Sequence, residues 1–303
     1  MKKALVTGAT GFVGSNLVAK LMKEGWNVDV IVRPSSDLKL LEGLSEALKV
    51  YKYDGDIDIL IDIMNQSKPD VVFHVASLFL SEHKVGQVDD LIHSNILFGT
   101  QLLEAMAQSG VKNIVNTSTF WEHYEGKDYS PVNLYAATKR AFHDLLQFYV
   151  EARGIRAITL KLFDTYGPND PRPKLFKLLM KVAETGETLA MSPGEQKIDL
   201  VHIDDVVAAY LIAAQRLIDE NVKNHEQYAI CTGNPLSIRA FVALVEQKIG
   251  KKINIQWGGR PYRKREAMTV WTHGDKLPEW ESKISLEKGL IAISWNDTHV
   301  TKY

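Results

Sequence analysis

Tyr135 and Lys139, four residues apart, are the side chains of this sequence whose types and spacing best suit acid–base chemistry. They lie near the start of a helix predicted over residues 134–151, where a spacing of four places both on one face. A free tyrosine, with a pKa of about 10, is a poor acid–base catalyst at neutral pH. An ammonium about 4 Å away would favour the phenolate by up to about 4 kcal/mol at an effective dielectric constant of about 20. The same spacing also occurs in pairs that merely share a helix surface.

Residues 114–119, Ile-Val-Asn-Thr-Ser-Thr, predict a strand that ends in hydroxyl groups. Ser118 at that end is suited to hydrogen-bond a substrate carbonyl. Strand, loop and helix would bring Ser118, Tyr135 and Lys139 together at the carboxyl edge of a parallel sheet, where doubly wound folds bind ligands. We predict these three as the catalytic residues. The alternative for Ser118 is a hydroxyl that only caps the strand end.

A glycine-rich turn, GATGFVG at residues 8–14, lies between the first predicted strand and the first predicted helix. In such a turn one glycine permits the sharp bend, one lets backbone N–H groups approach a pyrophosphate, and one lets helix and strand pack closely. The helix N-terminus then offers N–H donors and a partial positive charge to the phosphates. This context predicts dinucleotide binding rather than a merely tight turn.

Arg33 follows the second predicted strand, residues 28–32, and Ser36 comes shortly after it. An NAD site has a carboxylate here for the ribose 2′-hydroxyl, whereas an arginine accommodates the 2′-phosphate of NADP. Asp29 lies mid-strand, too early to serve. We therefore predict NADP(H) as the preferred cofactor and NAD(H) as the alternative. Asp56, before Ile57, lies where a loop would meet the adenine; the alternatives are an ordinary turn aspartate and, for Arg33, a solvated loop residue.

Short β-branched runs alternate with longer segments of helical period, which is typical of a parallel sheet with crossover helices. Further strands are predicted at residues 71–75, 114–116 and 157–162, and further helices at 95–109 and 206–217. Seven of the ten prolines follow residue 167, where the rhythm becomes irregular. The fold class predicted is α/β: a Rossmann-type doubly wound parallel sheet with a smaller mixed α/β C-terminal substrate lobe. The predicted domains are 1–165 with 198–230 for NADP, and 166–197 with 231–303 for the substrate.

Composition excludes several function classes. The 303 residues are 45% hydrophobic and carry a net charge of −1, so no surface for nucleic acid is indicated, and the basic cluster at residues 260–265 is short. A single cysteine, Cys231, excludes an intrachain disulfide and a zinc site built on paired cysteines, and fits a cytoplasmic location. No apolar run approaches the roughly 18 residues of a membrane span, and the apolar run near the N-terminus is too short for a signal peptide. His74, His93 and His202 lack metal-ligand spacing, so no metal site is predicted.

The chain resembles the extended short-chain dehydrogenase/reductase superfamily, which includes nucleotide-sugar epimerases, dehydratases and ketoreductases. The resemblance runs nearly end to end, through the glycine-rich start, residues 74–77, Asn95, the Ser118 strand end, Tyr135-x-x-x-Lys139, and the segments 163–168 and 199–205. It implies that Tyr135 is the acid–base, that Lys139 tunes it and holds the nicotinamide ribose, and that Ser118 binds the reacting oxygen. It implies a cofactor site formed by Gly8, Thr10, Gly11, Phe12, Val13, Gly14, Arg33, Ser36, Asp56, Ile57, Val75, Ala76, Ser77, Asn95, Thr117, Tyr135, Lys139, Phe163 and Thr165.

The resemblance also bears on the reaction. Dehydratases of the superfamily typically carry an Asp-Glu pair just after the hydroxyl residue, where this chain has Thr119 and Phe120. Epimerases usually hold NAD tightly and carry an acid at the end of the second strand, where this chain has Arg33. A ketoreductase that uses exchangeable NADPH remains, and residues 121–139 and 258–266 look similar to CDP-hexose 4-ketoreductases, the CDP-abequose and CDP-paratose synthases of bacterial surface polysaccharide.

The substrate residues that this likeness implies are Ser77, Ser118, Trp121, Asp164 and Arg263. Arg263 is the candidate for the diphosphate because a guanidinium grips phosphate oxygens in bidentate fashion; its alternative is a solvated basic loop, and that of Trp121 is core packing. Two positions depart from the superfamily, which often has Asn where Asp164 stands and Arg where Ile198 stands. Lys197 is a candidate replacement for that arginine.

Other functions stay open. They are a nucleotide-sugar 4-epimerase with tightly bound NAD, an NADPH-dependent reductase of a small non-nucleotide ketone or aldehyde, and a non-catalytic cofactor-sensing protein. A homodimer is also predicted, because the helix at 134–151 carries more apolar surface than one sheet-facing stripe requires. Burial of that surface under the second lobe is the alternative explanation.

Overall fold

The computed structural model of the protein describes residues 1–44 and 47–297. The last residues of the predicted substrate lobe, 298–303, lie outside the described part of the chain. Within that part, no helix is both long and apolar enough to cross a membrane.

Thirteen strands are present in the described residues. They are β1 (Lys3–Thr7), β2 (Asn27–Val32), β3 (Lys49–Lys52), β4 (Val71–His74), β5 (Asn113–Thr119), β6 (Arg156–Leu162), β7 (Asp164–Tyr166), β8 (Leu189–Met191), β9 (Lys197–Ile198), β10 (Leu200–His202), β11 (His225–Ile230), β12 (Leu236–Ser237) and β13 (Ile255–Trp257). Seven of them form one parallel sheet in the order β11-β6-β5-β4-β1-β2-β3. The chain moves outward from β1 in one direction and then from β4 in the other, so the strand order reverses between these two strands. In doubly wound folds a ligand binds at such a reversal, outside the carboxyl ends of the strands.

The helices of the described residues are α1 (Phe12–Lys23), α2 (Ile57–Ser67), α3 (Val88–Ile92), α4 (Phe98–Gln108), α5 (Leu134–Arg153), α6 (Leu175–Thr185), α7 (Ile203–Ile218), α8 (Ile238–Ile249) and α9 (Leu286–Asp297). Successive strand residues point to opposite faces. In β1, Val6 accordingly joins the apolar cluster under α1 and α7, whereas Leu5 joins the cluster under α2, α4 and α5. Helices therefore cover both faces of the sheet, and the predicted Rossmann-type α/β fold is confirmed.

The rest of the chain forms a smaller lobe with its own apolar cluster. Leu179 of α6, Phe241 and Val245 of α8, and Leu290 of α9 are buried together there. Short two-stranded ladders, β7 with β10, β9 with β12 and β8 with β13, accompany these helices. The domain limits stay predictions, and the proposed boundary after residue 165 falls inside β7.

One predicted helix has a different form. Residues 95–109 were expected to form a single helix, but a π-helical turn at His93–Leu97 separates α3 from α4. Such turns often occur at functional sites because they re-aim side chains. Here the turn contains the buried Asn95. Its carboxamide accepts hydrogen bonds from the Leu78 N–H at 2.8 Å and the Ser77 hydroxyl at 3.3 Å, and donates to Thr138 at 3.0 Å.

Candidate functional site

The glycine-rich turn forms a tight bend between β1 and α1. Gly8 has a φ of +72°, and a Cβ there would lie 2.6 Å from the backbone nitrogen of Ala76, which follows β4. A Cβ on Gly14 would collide with the carbonyl oxygen of Gly8. At Gly11 the nearest atom to an added Cβ would be the Gly8 carbonyl oxygen, at 3.4 Å, so this side of the turn is open. Gly8 and Gly14 therefore serve the bend and the packing, and Gly11 leaves room for a ligand.

The N-terminus of α1 faces this opening without a cap of its own. Gly11 is the N-cap, no side chain of the described residues caps the helix, and the first turn carries no acidic residue. The first N–H groups of a helix have no partners within the helix and favour an anion. The turn and the helix end thus fit the pyrophosphate of a dinucleotide.

Tyr135 and Lys139 both lie on the first turns of α5, which begins after the N-cap Asn133. Their side chains are buried, with 8% and 1% exposure. Burial raises the pKa of Tyr135 to about 12, while contacts with the hydroxyls of Ser77 and Thr119 lower it. We expected Lys139 to lower the pKa of this tyrosine, but in the structure the cost of desolvating the phenolate dominates.

Lys139 is a buried cation without a hydrogen-bond partner among the described residues. Burial lowers its pKa to about 8, and the charge of Glu122 opposes that change. An unpaired buried ammonium is costly, so such a group indicates a ligand that completes its hydrogen bonds. Its place beside Tyr135 fits the hydroxyls of a nicotinamide ribose.

Ser118 does not stand where the sequence placed it. Its hydroxyl donates to the carboxylate of Glu122, four residues on, whereas the hydroxyl near Tyr135 is that of Thr119. Alternation along β5 explains the difference, because Ser118 faces one side of the strand and Thr117 and Thr119 the other. The period-two alternation of a strand, applied to residues 117–119, was the sequence signal that could have shown that the two hydroxyls face opposite sides.

Two charged residues that the sequence analysis did not select lie behind this strand end. Glu122 and Lys161 have side chains only 1% and 6% exposed, and Lys161 Nζ lies 3.3 Å from Glu122 Oε2. Lys161 pairs in register with Ser118 across β5 and β6. A lysine inside a predicted central strand of otherwise uncharged residues was the available signal.

The remaining residues predicted to bind the cofactor lie in the loop after β4, within β5 and just after β6, and in the glycine-rich turn. Val75, Ala76 and Ser77 form the loop after β4, where the Ala76 N–H donates to Thr7 Oγ1 at 3.2 Å. Phe163, by contrast, stacks on Phe120 with ring centroids 4.4 Å apart. The hydroxyls of Thr117 and Thr165 already have partners. Thr117 shares a 2.6 Å hydrogen bond with Tyr210, and Thr165 donates to the Phe163 carbonyl at 3.3 Å. Thr10, Phe12 and Val13 belong to the glycine-rich turn and the start of α1.

At the far end of the expected cofactor site, Arg33 is exposed directly after β2. The Ser36 hydroxyl accepts from the Arg33 backbone N–H at 3.1 Å, which closes a turn after β2. Asp29, by contrast, is buried and paired with Lys3 at 3.1 Å. Asp56 is the N-cap of α2, accepting from the Asp58 N–H at 3.0 Å, and Ile57 opens that helix.

Histidines do not form a metal centre in the described residues, in which no group of three or more His, Cys, Asp or Glu side chains is placed to hold an ion. His74 is buried, shares a 3.0 Å hydrogen bond with Thr7, and has its pKa lowered to about 3 by burial. His202 caps α7. These two histidines therefore have structural partners.

A sequence model of the NAD dependent epimerase/dehydratase family matches residues 4–231. The protein belongs to this family. The match covers the glycine-rich turn, β5, the Tyr–Lys helix and all seven strands of the main sheet, and it confirms the predicted resemblance.

The individual relatives are named for different reactions. The chain is 28% identical over 295 residues to CDP-abequose synthase of Salmonella muenchen, across 95% of this chain and 96% of the relative. It is 27% identical over 319 residues to UDP-glucuronate 4-epimerase of Thermodesulfobacterium geofontis, across 98% and 96%. UDP-glucose 4-epimerase of Thermotoga maritima, solved with UDP-glucose, matches with a TM-score of 0.87 at 25% identity, over 99% of this chain and 100% of the other.

The substrate side of this epimerase/dehydratase-family protein begins with aromatic rings. Phe79, 46% exposed, lies with its ring centroid 5.0 Å from that of Tyr135 and 5.4 Å from that of Trp121. Trp121, expected to contact the sugar, is thus part of an aromatic wall next to Tyr135. Phe79 was not selected from the sequence, although it follows the predicted Ser77 by two residues.

Charged groups line the other side. Burial raises the pKa of Asp164, and the cations Lys174, Arg172 and Arg263 oppose this. Lys174 Nζ lies 5.3 Å from the centre of the Phe79 ring, and burial lowers its pKa while Asp164 raises it. The charge of Asp199 adds to the raised pKa, so three cations and one anion act on Asp164 where the superfamily often has an amide. Lys174 is a cation that the sequence analysis missed.

Arg263 lies over Trp121, at 5.6 Å from the ring centre, but its donors are largely occupied. Glu266 accepts from its Nε at 3.0 Å and its Nη2 at 2.8 Å. A diphosphate there would compete with this carboxylate. Lys197, the proposed replacement for an arginine at position 198, is exposed and lines a surface pocket with Glu125, Thr272 and His273.

Proposed function

We propose that the protein reduces the 4-keto group of a nucleotide-linked, CDP-linked deoxy sugar, with NADPH as the hydride donor. The observation that carries the oxidoreductase site is the buried, unpartnered ammonium of Lys139 beside Tyr135. The open turn at Gly11 and the uncapped start of α1 supply the matching phosphate end.

The residues of the chain divide the work. Lys139 would hold the ribose hydroxyls next to the nicotinamide. When bound, NADPH supplies the hydride that reduces the ketone carbon. The Thr119 and Ser77 hydroxyls would orient the ketone oxygen, and Tyr135 would donate its proton to that oxygen as negative charge develops there. We assign the orienting hydroxyl to Thr119 in place of Ser118.

The cofactor preference rests on the end of β2. Arg33 is exposed there, and no carboxylate among the described residues forms an ion pair with it. An exposed guanidinium at the end of this strand suits a 2′-phosphate, which favours NADPH over NADH.

The substrate class rests on the cleft and on the relatives. Phe79 and Trp121 would pack against a sugar ring, and Lys174 would face the diphosphate. Arg263 would join Lys174 there if its ion pair with Glu266 opened. CDP-abequose synthases support the 4-ketoreductase reaction and the CDP group. Neither Thr119 nor Phe120 supplies the carboxylates of a dehydratase, and Glu122 nearby is already paired with Lys161.

NADPH oxidation with a panel of CDP- and UDP-linked 4-keto sugars tests this function. Turnover with a CDP-linked 4-keto sugar, and much slower turnover with NADH, is expected. Activity on simple ketones without turnover of any nucleotide-linked substrate would contradict the sugar-nucleotide assignment.

A nucleotide-sugar 4-epimerase is the second candidate, because UDP-glucuronate and UDP-glucose 4-epimerases match nearly the whole chain. Such an enzyme would retain NAD through its cycle. Stoichiometric NAD released on denaturation of the purified protein, together with interconversion of UDP-linked 4-epimers, would favour it over the reductase.

We also infer that the protein is a cytoplasmic homodimer. We infer that its product serves the biosynthesis of surface polysaccharide. Phe142, Leu146 and Tyr149 of α5 are buried within the chain, so burial accounts for much of the apolar surface noted in the sequence. Phe148 remains 55% exposed, and Leu97 before α4 is 44% exposed. Sedimentation of the wild type and of Phe148→Glu tests whether this surface pairs two copies; an unchanged dimer would place the interface elsewhere.

A further inference from the structure

Glu122 lies in the turn directly after β5, between the strand end that carries Thr119 and the start of α5. Its Oε1 accepts the hydroxyl hydrogen of Ser118, and its Oε2 lies 3.3 Å from the ammonium of Lys161. The side chain is 1% exposed. An anion is therefore held in a fixed position inside the protein.

Lys161 is held from a second direction. Its Nζ lies 2.8 Å from His123 Nε2 and 5.1 Å from the centre of the Trp271 ring. His123 stacks on Trp271, with centroids 3.7 Å apart and planes 7° from parallel. The His123 ring therefore accepts from the ammonium through Nε2, while its Nδ1 lies 3.0 Å from the Lys127 carbonyl oxygen. These contacts join β6, the turn after β5 and the segment around residue 271.

The backbone of the turn is fixed as well. The Val132 N–H donates to the Trp121 carbonyl at 2.8 Å, and the Ser130 N–H donates to the Glu122 carbonyl at 2.8 Å. Thr119 caps the turn by accepting from the Trp121 N–H at 3.3 Å. The residues that would touch the substrate, Thr119 and Trp121, are thus on the same short segment as Glu122.

A buried ion pair adds little net stability, because desolvating both charges costs about as much as their attraction returns. Its charge, however, acts at a distance in a poorly screened interior. Glu122 raises the pKa of Lys139, which burial lowers to about 8, whereas the charge of Lys161 acts on His123 and His225.

The titratable and charged groups around Glu122 and Lys139 come from every neighbouring element: His74 of β4, Lys161 of β6, Tyr135, Arg140 and His143 of α5, His225 of β11, and His123 of the turn itself. Burial lowers the pKa of each of the four histidines, to about 3 for His74 and His225. They are therefore neutral near pH 7. Glu122 pairs with Lys161 at 3.3 Å, and its charge also acts on Lys139.

We propose that Glu122, clamped between Ser118 and Lys161, is a positioning residue of the site: it fixes the turn that carries Thr119 and Trp121 and keeps the buried Lys139 as an ammonium. This inference rests on the proposed function for its catalytic meaning. The charge effect on Lys139 is a property of the chain alone, and it can be measured without substrate or cofactor.

The test is an NMR titration of Lys139 in the ligand-free protein, with ¹³C-labelled lysine and the Lys139 signal assigned by its absence in Lys139→Met. Glu122→Gln keeps an acceptor for Ser118 and removes the charge. Its Lys139 midpoint should fall by roughly one pH unit, because the attraction of one poorly screened buried charge is lost. Glu125→Gln, three residues on and exposed, is the matched control and should leave the midpoint unchanged.

Glu122→Gln strands Lys161 and is expected to lower the melting temperature by several degrees. Glu122→Gln/Lys161→Met removes both charges, and its melting temperature should recover, while the Lys139 midpoint should return part of the way because the repulsion from Lys161 is lost as well. A midpoint equal to that of the wild type in the folded Glu122→Gln variant would overturn the proposal. Lack of turnover on nucleotide-linked ketones, with a lowered midpoint, would instead contradict only the proposed function.

Discussion

Ser118 and Thr119 are neighbours in the chain, but their hydroxyls serve different partners. Ser118 donates to the buried Glu122, and Thr119 lies at the Tyr135 hydroxyl. One step along a strand reverses the direction of the side chain, so adjacent hydroxyls cannot share one function. At the scale of single residues, this reversal is the reason that we assign the orienting role to Thr119 and not to Ser118.

Thr119→Ala should therefore lower kcat for ketone reduction roughly 100-fold, the usual effect of removing one donor to a developing oxyanion. Thr119→Ser should recover most of the rate. Ser118→Ala is the matched control, with a loss of less than about tenfold. Steady-state rates decide between them, and the reverse ranking would return the role to Ser118.

Tyr135→Phe removes the proton donor and leaves the ring in place. Turnover should fall by about 100- to 10,000-fold, the range for a lost general acid. NADPH affinity, measured by the quenching of intrinsic fluorescence, should change little because Lys139 keeps its position. Retention of wild-type turnover would exclude Tyr135 as the acid.

The lowered pKa of Lys139 predicts a pH limit on cofactor binding. In the proposed role the ammonium form of Lys139 holds the ribose, and a pKa of about 8 means that this form is lost as pH rises through 8. NADPH affinity should accordingly be full below that pH and decline above it. In Lys139→Met the affinity should be weaker and should not show this decline. A flat profile in the wild type up to pH 10 would contradict the assignment.

At the scale of elements, the proposed preference for NADPH depends on the end of β2. β2 is buried along most of its length and ends at Val32, so Arg33 is the first residue free to meet a ligand there. The Ser36 hydroxyl and the Arg33 backbone close the turn without using the guanidinium. This leaves the charge available.

Arg33→Ala should raise KM for NADPH by about 10- to 100-fold, as for the loss of a charge-assisted hydrogen bond, and leave KM for NADH almost unchanged. Initial rates with both cofactors at saturating ketone give the comparison. Arg260→Ala, an exposed arginine of the second lobe, serves as the control. Equal increases for NADPH and NADH would show that Arg33 does not contact the 2′-phosphate.

At the scale of the whole molecule, two buried carboxylates tie the lobes together. Asp199 accepts from the Thr232 N–H and hydroxyl at 2.9 and 2.7 Å and from the Gly233 N–H at 2.9 Å. Asp205 of α7 accepts from the Ser282 hydroxyl at 2.9 Å and from the Lys283 and Ile284 N–H groups at 3.1 and 3.0 Å. The segment that leads into α9 is therefore fixed to the helix that packs on the main sheet.

Asp205→Asn should lower the free energy of unfolding by about 2 kcal/mol, because an amide cannot accept all these hydrogen bonds with the strength of a carboxylate. Asp204→Asn is the matched control, since the Asp204 side chain is 72% exposed and one residue away; its loss should be below about 1 kcal/mol. Urea denaturation followed by circular dichroism measures both. Equal losses would indicate a helix-end effect instead of an anchor.

Patterns within short stretches of the sequence were enough to predict the sheet and the tight glycine-rich turn. Alternating strand and helix patterns determine a doubly wound sheet, because each element must bury one face, and the glycine spacing at Gly8, Gly11 and Gly14 reflects backbone contacts between residues close in sequence. Tyr135 and Lys139 share a helix, so their common face followed from spacing alone. The π-helical turn at His93–Leu97 was not predicted, since it has no periodic signal.

Only the tertiary structure decided which groups meet from distant parts of the chain. Lys161 and Trp271 come to Glu122, and Lys174 comes to Asp164 and Phe79, through contacts across many residues that no local pattern encodes. Glu266 likewise occupies the guanidinium of Arg263, which the sequence offered as free. Burial and pairing depend on the surrounding packing, and therefore the charge state of a side chain is a property of the folded molecule.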